Sequence, residues 1–232
     1  MRTLGQRVPN MYTRAFHRWW GAGVLLDQSG QPRHFYHGTP WAGFAKFKFD
    51  PRRRNTANET RGLGIWFTSD PEVASTFASK ERNAGFVYCR GRWNNGEQYK
   101  RQRTYIKHGA VYVAYINLQN PKIYNSDILT DAFESMMDER DQFAHYIDSN
   151  WGEGTWRRRM VENDPDDANK LFRHYLQDQG YDGILLRDSV FDGIRRKQCG
   201  ELSKFGRMHG ELYKQCPHDI VLVFHPNQIK TA

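Results

Sequence analysis

The segment Gly62-Leu-Gly-Ile-Trp-Phe-Thr-Ser-Asp-Pro-Glu-Val-Ala-Ser-Thr-Phe-Ala78 decides the fold, because it predicts a buried strand that turns directly into a helix. Residues 62–68 form an apolar run of strand length. Pro71 suits the first turn of a helix, and Ser69 followed by Glu72 has the spacing of a capping box. This strand-to-helix turn predicts that Trp66 and Phe77 lie close together.

Outside this segment the sequence alternates short strands with a few helices, which indicates an α+β domain. Strands are predicted at 34–37, 110–118, 182–186 and 220–224, with a weaker alternation at 44–49. Helices are predicted at 12–26, with two inward tryptophans, at 128–151, and at 166–179 before Gly180. Residues 52–61 and 90–107 are expected to be a polar loop and a basic, turn-rich segment. No linker-like stretch interrupts the sequence, so we expect a single domain over residues 1–232.

Composition favours a folded, basic protein. Hydrophobic residues make up 38% and aromatic residues 14% of the chain, which is enough for a core and argues against disorder. The chain has 34 basic and 26 acidic residues, so its formal net charge is +8. Nucleic acid is therefore the first partner to consider, and an anionic cofactor is the second.

Cysteine usage and the absence of long apolar runs predict a soluble, cytoplasmic protein. Cys89, Cys199 and Cys216 lack the close spacing of zinc ligands and fit a reducing compartment better than a disulfide framework. No apolar run reaches membrane-spanning length. The first 20 residues lack the apolar core of a secretory signal.

Three segments together carry a family resemblance: Tyr36-His-Gly-Thr39, residues 62–69, and His218-Asp-Ile-Val-Leu-Val-Phe-His-Pro-Asn-Gln-Ile229. In order and character they resemble the three motifs of mono-ADP-ribosyltransferases of the diphtheria-toxin and poly-ADP-ribose-polymerase branch. They are most similar to toxin-like enzymes of phages and mobile elements, in which a Ser-Gly-x-Pro turn precedes the first motif, as at residues 29–32. The resemblance covers residues 29–78 and 180–231, and 79–179 look like a variable basic and helical insertion.

This resemblance implies a fold and a reaction. The fold is the α+β ADP-ribosyltransferase fold, a split pair of small, mostly antiparallel sheets with surrounding helices. NAD⁺ is held in the cleft as a substrate, with no metal required. The enzyme breaks the nicotinamide–ribose bond and transfers ADP-ribose to an acceptor.

The resemblance also assigns roles in the first two motifs. His37 would bind the adenosine ribose, the backbone of Gly38 would hold the nicotinamide carboxamide, and Thr39 would add a polar contact. Trp66, where the family has tyrosine, would stack on nicotinamide, with Phe77 on the opposite side. Taken alone, residues 37–39 are equally compatible with a turn that ends a strand. Strand alternation places Phe67 in the core, on the face opposite Trp66.

Three further residues complete the predicted cofactor-binding set. Ser69 closes the second motif, and Arg54 and Arg61 lie between the first two motifs, where guanidinium groups can hold a pyrophosphate by bidentate hydrogen bonds. We expect His37, Trp66 and Phe77 to surround one cleft.

The third motif should supply a carboxylate that steadies the positive charge developing on the ribose. Asp219 is the predicted catalytic acid, alongside His37 and Trp66. In the polymerases the acid lies one residue later, at the position of Ile220 here, so Asp219 fits this role if the strand register bulges at this point or if the pattern of the phage enzymes applies. The alternatives are Glu211, Gln228 or an ordinary solvated position at a strand edge.

The basic segment between residues 90 and 105 interleaves cations with aromatic residues, as single-stranded nucleic-acid sites do. Arg90, Arg92, Trp93, Arg101 and Arg103 are the predicted nucleic-acid-binding residues, and single-stranded RNA is the favoured acceptor. The resemblance implies an intracellular toxin or phage-defence effector, with an antitoxin as a possible partner. The alternatives are a protein acceptor, an NAD⁺ glycohydrolase, an inactive nucleic-acid-binding module and ordinary solvated loops.

Overall fold

The computed structural model describes residues 10–39, 44, 46–48, 62–78, 87–93, 96–102, 109–154, 165–191, 204–208 and 211–231. Within these ranges the helices are α1 (Arg14–Trp20), α2 (Pro71–Ala78), α3 (Ala132–Trp151) and α4 (Pro165–Asp178). The strands are β1 (His34–Thr39), β2 (Ile65–Thr68), β3 (Val87–Trp93), β4 (Gly96–Gln102), β5 (Ala110–Ile116), β6 (Pro121–Asn125), β7 (Gly183–Ser189), β8 (Lys204–Met208), β9 (Glu211–Gln215), β10 (His218–Val223) and β11 (Ile229–Thr231).

Seven of these strands form one sheet in the order β11-β5-β1-β2-β10-β7-β6. All neighbours are antiparallel except β6 and β7, which run parallel. The sheet almost divides at its centre, because only the pair Tyr36 and Thr68 joins β1 to β2 within the described residues. The predicted α+β class is confirmed, and the predicted split appears as one sheet with a narrow junction instead of two separate sheets.

The core occupies both faces of this sheet. On one face, Phe35, Phe67, Ala114 and Val221 belong to a single hydrophobic cluster that draws on strands from both sides of the junction. On the other face, Leu222 packs with residues of α3 and α4. Burying a large apolar side chain contributes about 1.5–3 kcal/mol, so the first cluster, which contains strands from both sides, holds the two halves together despite the narrow junction.

The start of α2 differs in one respect from the predicted capping box. The carboxylate of Asp70 caps the helix by accepting from the amides of Glu72 at 2.8 Å and Val73 at 3.4 Å. The hydroxyl of Ser69 accepts instead from the amide of Asp219 at 2.9 Å. Ser69 therefore ties the end of β2 to β10, and the stronger, charged cap lies one residue later.

The predicted helices are present, and so are the predicted strands apart from the one at 44–49, with bounds that are shorter for some elements and longer for others. Helix α1 covers only the first half of its predicted range, and it buries Phe16 and Trp20 whereas Trp19 stays partly exposed. Helix α3 begins four residues later than predicted, and α4 ends before Gly180, whose φ of 88° is the left-handed value expected there. Residues 44 and 46–48 are not in a strand, so the weak alternation at 44–49 was misleading.

Two hairpins were not predicted. Strands β3 and β4 pair in an antiparallel hairpin across most of the segment that was expected to be turn-rich, and β8 and β9 form a second hairpin. Cys216 is disulfide-bonded, which corrects the expectation that the cysteines are unpaired. Among the described residues, no helix combines the length and hydropathy needed to cross a membrane.

Asp131 joins the start of α3 to the end of β7. It caps α3 in a complete capping box with Glu134. Its carboxylate is buried and also accepts from the Ser189 hydroxyl at 2.8 Å and from the Val190 amide at 2.8 Å. A buried carboxylate is stable in the fold only when hydrogen bonds replace its lost water, and here they do.

We predict that Asp131→Ala lowers the free energy of unfolding by about 3 kcal/mol, because it leaves several buried donors without an acceptor. Urea denaturation measures this change. Asp138, an exposed aspartate on the same helix, is the matched control. Asp138→Ala should change stability by no more than about 0.5 kcal/mol. Equal effects of the two substitutions would contradict the role given to Asp131.

Candidate functional site

The candidate site begins where β1 and β2 separate. His37 lies just past the single register pair, and its Nδ1 lies 2.7 Å from the backbone carbonyl of Trp66. A carbonyl oxygen only accepts, so Nδ1 donates, and in the neutral ring Nε2 is then an acceptor. The imidazole thus replaces a strand-to-strand hydrogen bond at the point where the sheet opens.

The surroundings of His37 favour this neutral state. Its ring packs against Phe47 at 5.1 Å and Phe67 at 5.4 Å between ring centroids. Burial lowers the pKa of His37 below its ordinary value of 6.5, and the hydrogen bond to the Trp66 carbonyl opposes this shift only in part. At neutral pH the ring therefore offers a fixed acceptor and carries no charge.

Gly38 lies directly under helix α2. A Cβ atom at this position would lie 1.6 Å from the carbonyl oxygen of Ala74 and 3.0 Å from Cβ of Phe77. No side chain fits there, so the contact between strand and helix requires glycine. This contact brings Phe77 to the end of β1, beside Gly38.

Trp66 lies on the α2 side of the sheet. The pairing of Tyr36 with Thr68 and the alternation of strand residues place Trp66 on the same face as Gly38, and His37 on the opposite face with Phe67. The Phe67 prediction is confirmed, since Phe67 is 2% exposed in the core. The rings of His37 and Trp66 do not share a face, so the expectation that His37, Trp66 and Phe77 surround one cleft is wrong for His37: only Trp66 and Phe77 lie on a common side of the sheet, next to the narrow junction between β1 and β2.

An aromatic wall lies behind Trp66. Its ring contacts those of Phe133 and Phe191 at 6.3 and 6.2 Å, and these two rings stack on each other at 3.6 Å. The indole Nε1 is buried and has no hydrogen-bond partner among the described residues. Phe133 comes from the first turn of α3, so the insertion between the motifs contributes to this side of the site.

Asp219 lies beside a bulge in the neighbouring strand. His218 pairs with Ser189 and Ile220 with Leu186, so β7 has one extra residue here. Asp188, in that bulge, has a φ of 51° and donates its amide to Oδ1 of Asp219 at 3.2 Å. The extra residue lies in β7, whereas β10 pairs with β2 in regular register, so the bulge considered for the Asp219 assignment is not found in the strand that carries Asp219.

The other contacts of Asp219 fix its position further. Its Oδ2 lies 2.5 Å from the guanidinium of Arg33, and its backbone exchanges hydrogen bonds with Ser69 across β2 and β10. The side chain of Asp219 remains 18% exposed. Arg33 was not predicted from the sequence, although a cation directly before the first-motif strand was a usable signal.

His218, next to Asp219, is a second buried histidine that the sequence did not single out. It is 5% exposed, and its Nε2 has no hydrogen-bond partner in the part of the chain that the structure describes. Burial lowers its pKa below 6.5, while the Cys216 carbonyl and the charges of Asp70, Asp219 and Asp131 act in the opposite direction.

Residues 27–232 match a family model described as ADP-ribosyltransferase in polyvalent proteins. The chain belongs to this ADP-ribosyltransferase family. No curated protein and no solved structure matches the chain significantly. The predicted ADP-ribosyltransferase fold is therefore confirmed, and the match also spans residues 79–179, which the three motifs did not cover.

The structure describes some of the remaining predicted residues of this ADP-ribosyltransferase, whereas others lie outside the described ranges. Thr39 ends β1 and is buried, whereas Arg54, Arg61 and Arg103 lie outside the described residues. Gln228 donates to the Asp182 carbonyl at 2.7 Å and accepts from the His225 amide at 2.8 Å, so its amide group serves the 3₁₀ turn before β11. Glu211 begins β9. Within the described ranges, no group of three or more His, Cys, Asp or Glu residues could hold a metal ion.

We predict that the ADP-ribosyltransferase loses stability as the pH falls below the ordinary histidine pKa of 6.5. His37 and His218 have lowered pKa values in the fold, so the unfolded chain binds more protons than the folded chain in this range. The free energy of unfolding therefore decreases as the pH decreases. Each such histidine contributes up to about 1.4 kcal/mol per pH unit. Urea denaturation between about pH 7.5 and 5.5 measures the slope, a window in which histidines titrate more than carboxylates.

His218→Gln should reduce this slope, because glutamine takes up no proton in either state. The exposed His145 on α3 is the control, and His145→Gln should preserve the wild-type slope. A wild-type slope in the His218→Gln variant would show that this buried ring does not govern the acid sensitivity.

Proposed function

We propose that this ADP-ribosyltransferase cleaves NAD⁺ at the nicotinamide–ribose bond and transfers ADP-ribose to a macromolecule. The observation that carries the proposal is the opening between β1 and β2, with His37 bound to the Trp66 carbonyl and Gly38 packed under α2. This junction combines the Nε2 acceptor of His37 and the backbone of Gly38 with nearby aromatic side chains, which suits a ligand with an amide, a ribose and a flat ring.

The chemistry proposed for the site is a substitution at the anomeric carbon of the ribose. The bond to the nicotinamide nitrogen breaks, and its electron pair leaves with neutral nicotinamide. The ribose passes through an oxocarbenium-like state, and a nucleophile of the acceptor attacks the same carbon and loses its proton. The protein must therefore fix the nicotinamide and stabilise positive charge on the ribose.

In this proposal the junction residues bind the dinucleotide. The Nε2 acceptor of His37 receives a hydrogen bond from the adenosine ribose, and the backbone of Gly38 binds the nicotinamide carboxamide. Trp66 and Phe77 enclose the nicotinamide ring, and both extend from the α2 side of the sheet, where Gly38 also faces. Aromatic faces of this kind stack on flat rings with a gain of about 0.5–1.5 kcal/mol beyond burial.

Asp219 is the proposed catalytic carboxylate, and it accepts a hydrogen bond from the 2′-hydroxyl of the nicotinamide ribose. Its support is that its side chain is partly exposed and held by Arg33 and the amide of Asp188, while its backbone bonds to Ser69. Asp219 lies on the His37 face and Trp66 on the other, so in this proposal the nicotinamide ribose spans the junction between the two faces. An oriented carboxylate near the ribose favours the positive charge that develops there.

Nucleic acid, with single-stranded RNA favoured, is the proposed acceptor, and the hairpin of β3 and β4 is the proposed binding element. Its register pairs Arg90 with Tyr99 and Tyr88 with Arg101. The same register pairs Arg92 with Glu97 and Trp93 with Gly96. Cations interleaved with aromatic residues along the sequence of a hairpin suit phosphates and unpaired bases. A cytoplasmic toxin or defence role, with an antitoxin partner, is proposed from the family resemblance alone.

We predict that Asp219→Asn lowers the rate of ADP-ribose transfer by about 10²–10³-fold with little change in NAD⁺ binding, because it weakens a transition-state contact. Nicotinamide release and calorimetric NAD⁺ titration measure the two quantities. Asp188→Asn is the matched control: this exposed neighbour has a left-handed φ that asparagine tolerates. It should retain near wild-type activity.

His37→Ala should behave differently from Asp219→Asn. The proposed partner of His37, the adenosine ribose, is already bound in the ground state, so His37→Ala should weaken both NAD⁺ binding and turnover. Unchanged activity of Asp219→Asn would move the acidic role to another residue. Free ADP-ribose without a labelled macromolecule would indicate a glycohydrolase instead of a transferase.

We predict that the double substitution Arg90→Ser and Arg101→Ser lowers the rate of ADP-ribose transfer to RNA and makes RNA binding less dependent on salt. Cleavage of NAD⁺ by water should persist. Removing each arginine–phosphate pair should reduce the slope of log affinity against log salt by about 0.7 for single strands. Arg14→Ser with Arg18→Ser, on the exposed side of α1, is the charge-matched control and should leave transfer unchanged.

The acceptor itself is identified with labelled NAD⁺ and a cell lysate, treated separately with nuclease and protease. Label removed by nuclease supports the proposal. Label that resists nuclease and disappears with protease would establish a protein acceptor and overturn the nucleic-acid assignment.

A further inference from the structure

Arg33 and Asp219 form an ion pair across the strand that separates them. Arg33 directly precedes β1, Asp219 lies in β10, and β2 runs between these strands. The guanidinium Nη1 lies 2.5 Å from Oδ2 of Asp219. The guanidinium also lies over the ring of Phe35, 5.3 Å from its centroid.

The backbone of Arg33 is held as firmly as its side chain. Its amide donates to the Leu25 carbonyl at 2.9 Å, and Leu26 pairs with Pro32 across the intervening turn. Asp27 closes this turn by accepting from the amides of residues 29 and 31. Gly30, with a φ of 79°, supplies the left-handed residue that the turn needs. The turn before the first motif thus has a defined consequence, which is to direct Arg33 toward the carboxylate on β10.

We propose that Arg33 is a positioning residue for ADP-ribosyl transfer, which holds the Asp219 carboxylate in the orientation that receives the ribose hydroxyl. This inference rests on the proposed function of Asp219. Arg33 restrains Oδ2 and the amide of Asp188 restrains Oδ1, so the carboxylate cannot rotate freely. Each carboxylate oxygen accepts about two hydrogen bonds, so a site on each remains for the substrate.

The ion pair also specifies how Asp219 acts. A guanidinium in direct contact offsets much of the negative charge, so Asp219 acts on the ribose mainly as an oriented hydrogen-bond acceptor. Orientation is sensitive to small displacements, and an error of about 1 Å in a reacting group can reduce a rate by about 10²-fold. The side chain of Arg33 is 37% exposed, and ion pairs this accessible contribute little to folding. Arg33 can therefore be replaced without unfolding the protein.

The test uses the full chain with Arg33→Ala, Arg33→Lys and the control Arg187→Ala, an exposed arginine of β7. Nicotinamide release gives kcat and KM for NAD⁺, and thermal melting checks the fold. We expect Arg33→Ala to lower kcat by about 10–100-fold while KM stays within about twofold. Arg33→Lys should retain more activity than Arg33→Ala, because it keeps a cation but loses the planar guanidinium.

Chemical rescue separates positioning from a general structural effect. Guanidinium chloride at a few millimolar should restore part of the kcat of Arg33→Ala, whereas sodium chloride at equal ionic strength should not. A raised KM with unchanged kcat would mean that Arg33 binds NAD⁺ itself and would overturn the proposal, as would wild-type kinetics in Arg33→Ala. If the wild-type chain releases no nicotinamide, both the proposed function and this inference are refuted. If the wild-type chain is active and Arg33→Ala is equally active, only the role of Arg33 is refuted.

Discussion

The hydrogen bond from His37 Nδ1 to the Trp66 carbonyl is the interaction on which the candidate site depends. Backbone polar groups inside a protein need partners, and separating two strands removes the partners that a sheet provides. By supplying a donor from a side chain, His37 lets β1 and β2 diverge after one register pair without leaving the Trp66 carbonyl unpaired. Gly38 then allows α2 to lie against the end of β1, which keeps the opening next to aromatic residues. The gap is thus built into the sheet and does not need a separate loop to form it.

Asp131 and Asp219 carry the same functional group but have different surroundings and different roles. Asp131 is buried, and its hydrogen bonds with Ser189 and Val190 fix the end of β7. That end includes the bulge at Asp188, whose amide reaches Asp219. Asp219 is more exposed and is held by fewer groups, which leaves acceptor capacity for a substrate. Asp131, through its hydrogen bonds to the end of β7, therefore stabilises the backbone that holds Asp219.

Local sequence signals predicted much of this structure, whereas features that depend on distant residues escaped prediction. The strand-to-helix turn, the burial of Phe67 and the end of α4 at Gly180 follow from alternation and backbone preferences within a few residues. The bulge beside Asp219 lies in another strand, about 30 residues earlier in the chain, so no local pattern announces it. The hairpin of β3 and β4 is too polar for alternation to reveal, and the cap of α2 was misplaced by one residue because Ser69 pairs across the sheet. The motifs name candidate site residues, but they do not predict the hydrogen-bond partners of these residues or that His37 and Trp66 lie on different faces of the sheet.

The aromatic wall behind Trp66 shows why the segment between the motifs belongs to the site. Phe133 comes from α3 and stacks on Phe191, and both rings contact Trp66. The rings of Phe133 and Phe191 give the indole of Trp66 a surface to pack against, and α3 supplies the first of these rings. Under the proposed function, this restraint on one side of Trp66 lowers the entropy cost of stacking a flat ligand on the other. Since Asp131 begins the same helix and holds the end of β7, a change in α3 would affect both the packing of Trp66 and the bulge whose amide reaches Asp219.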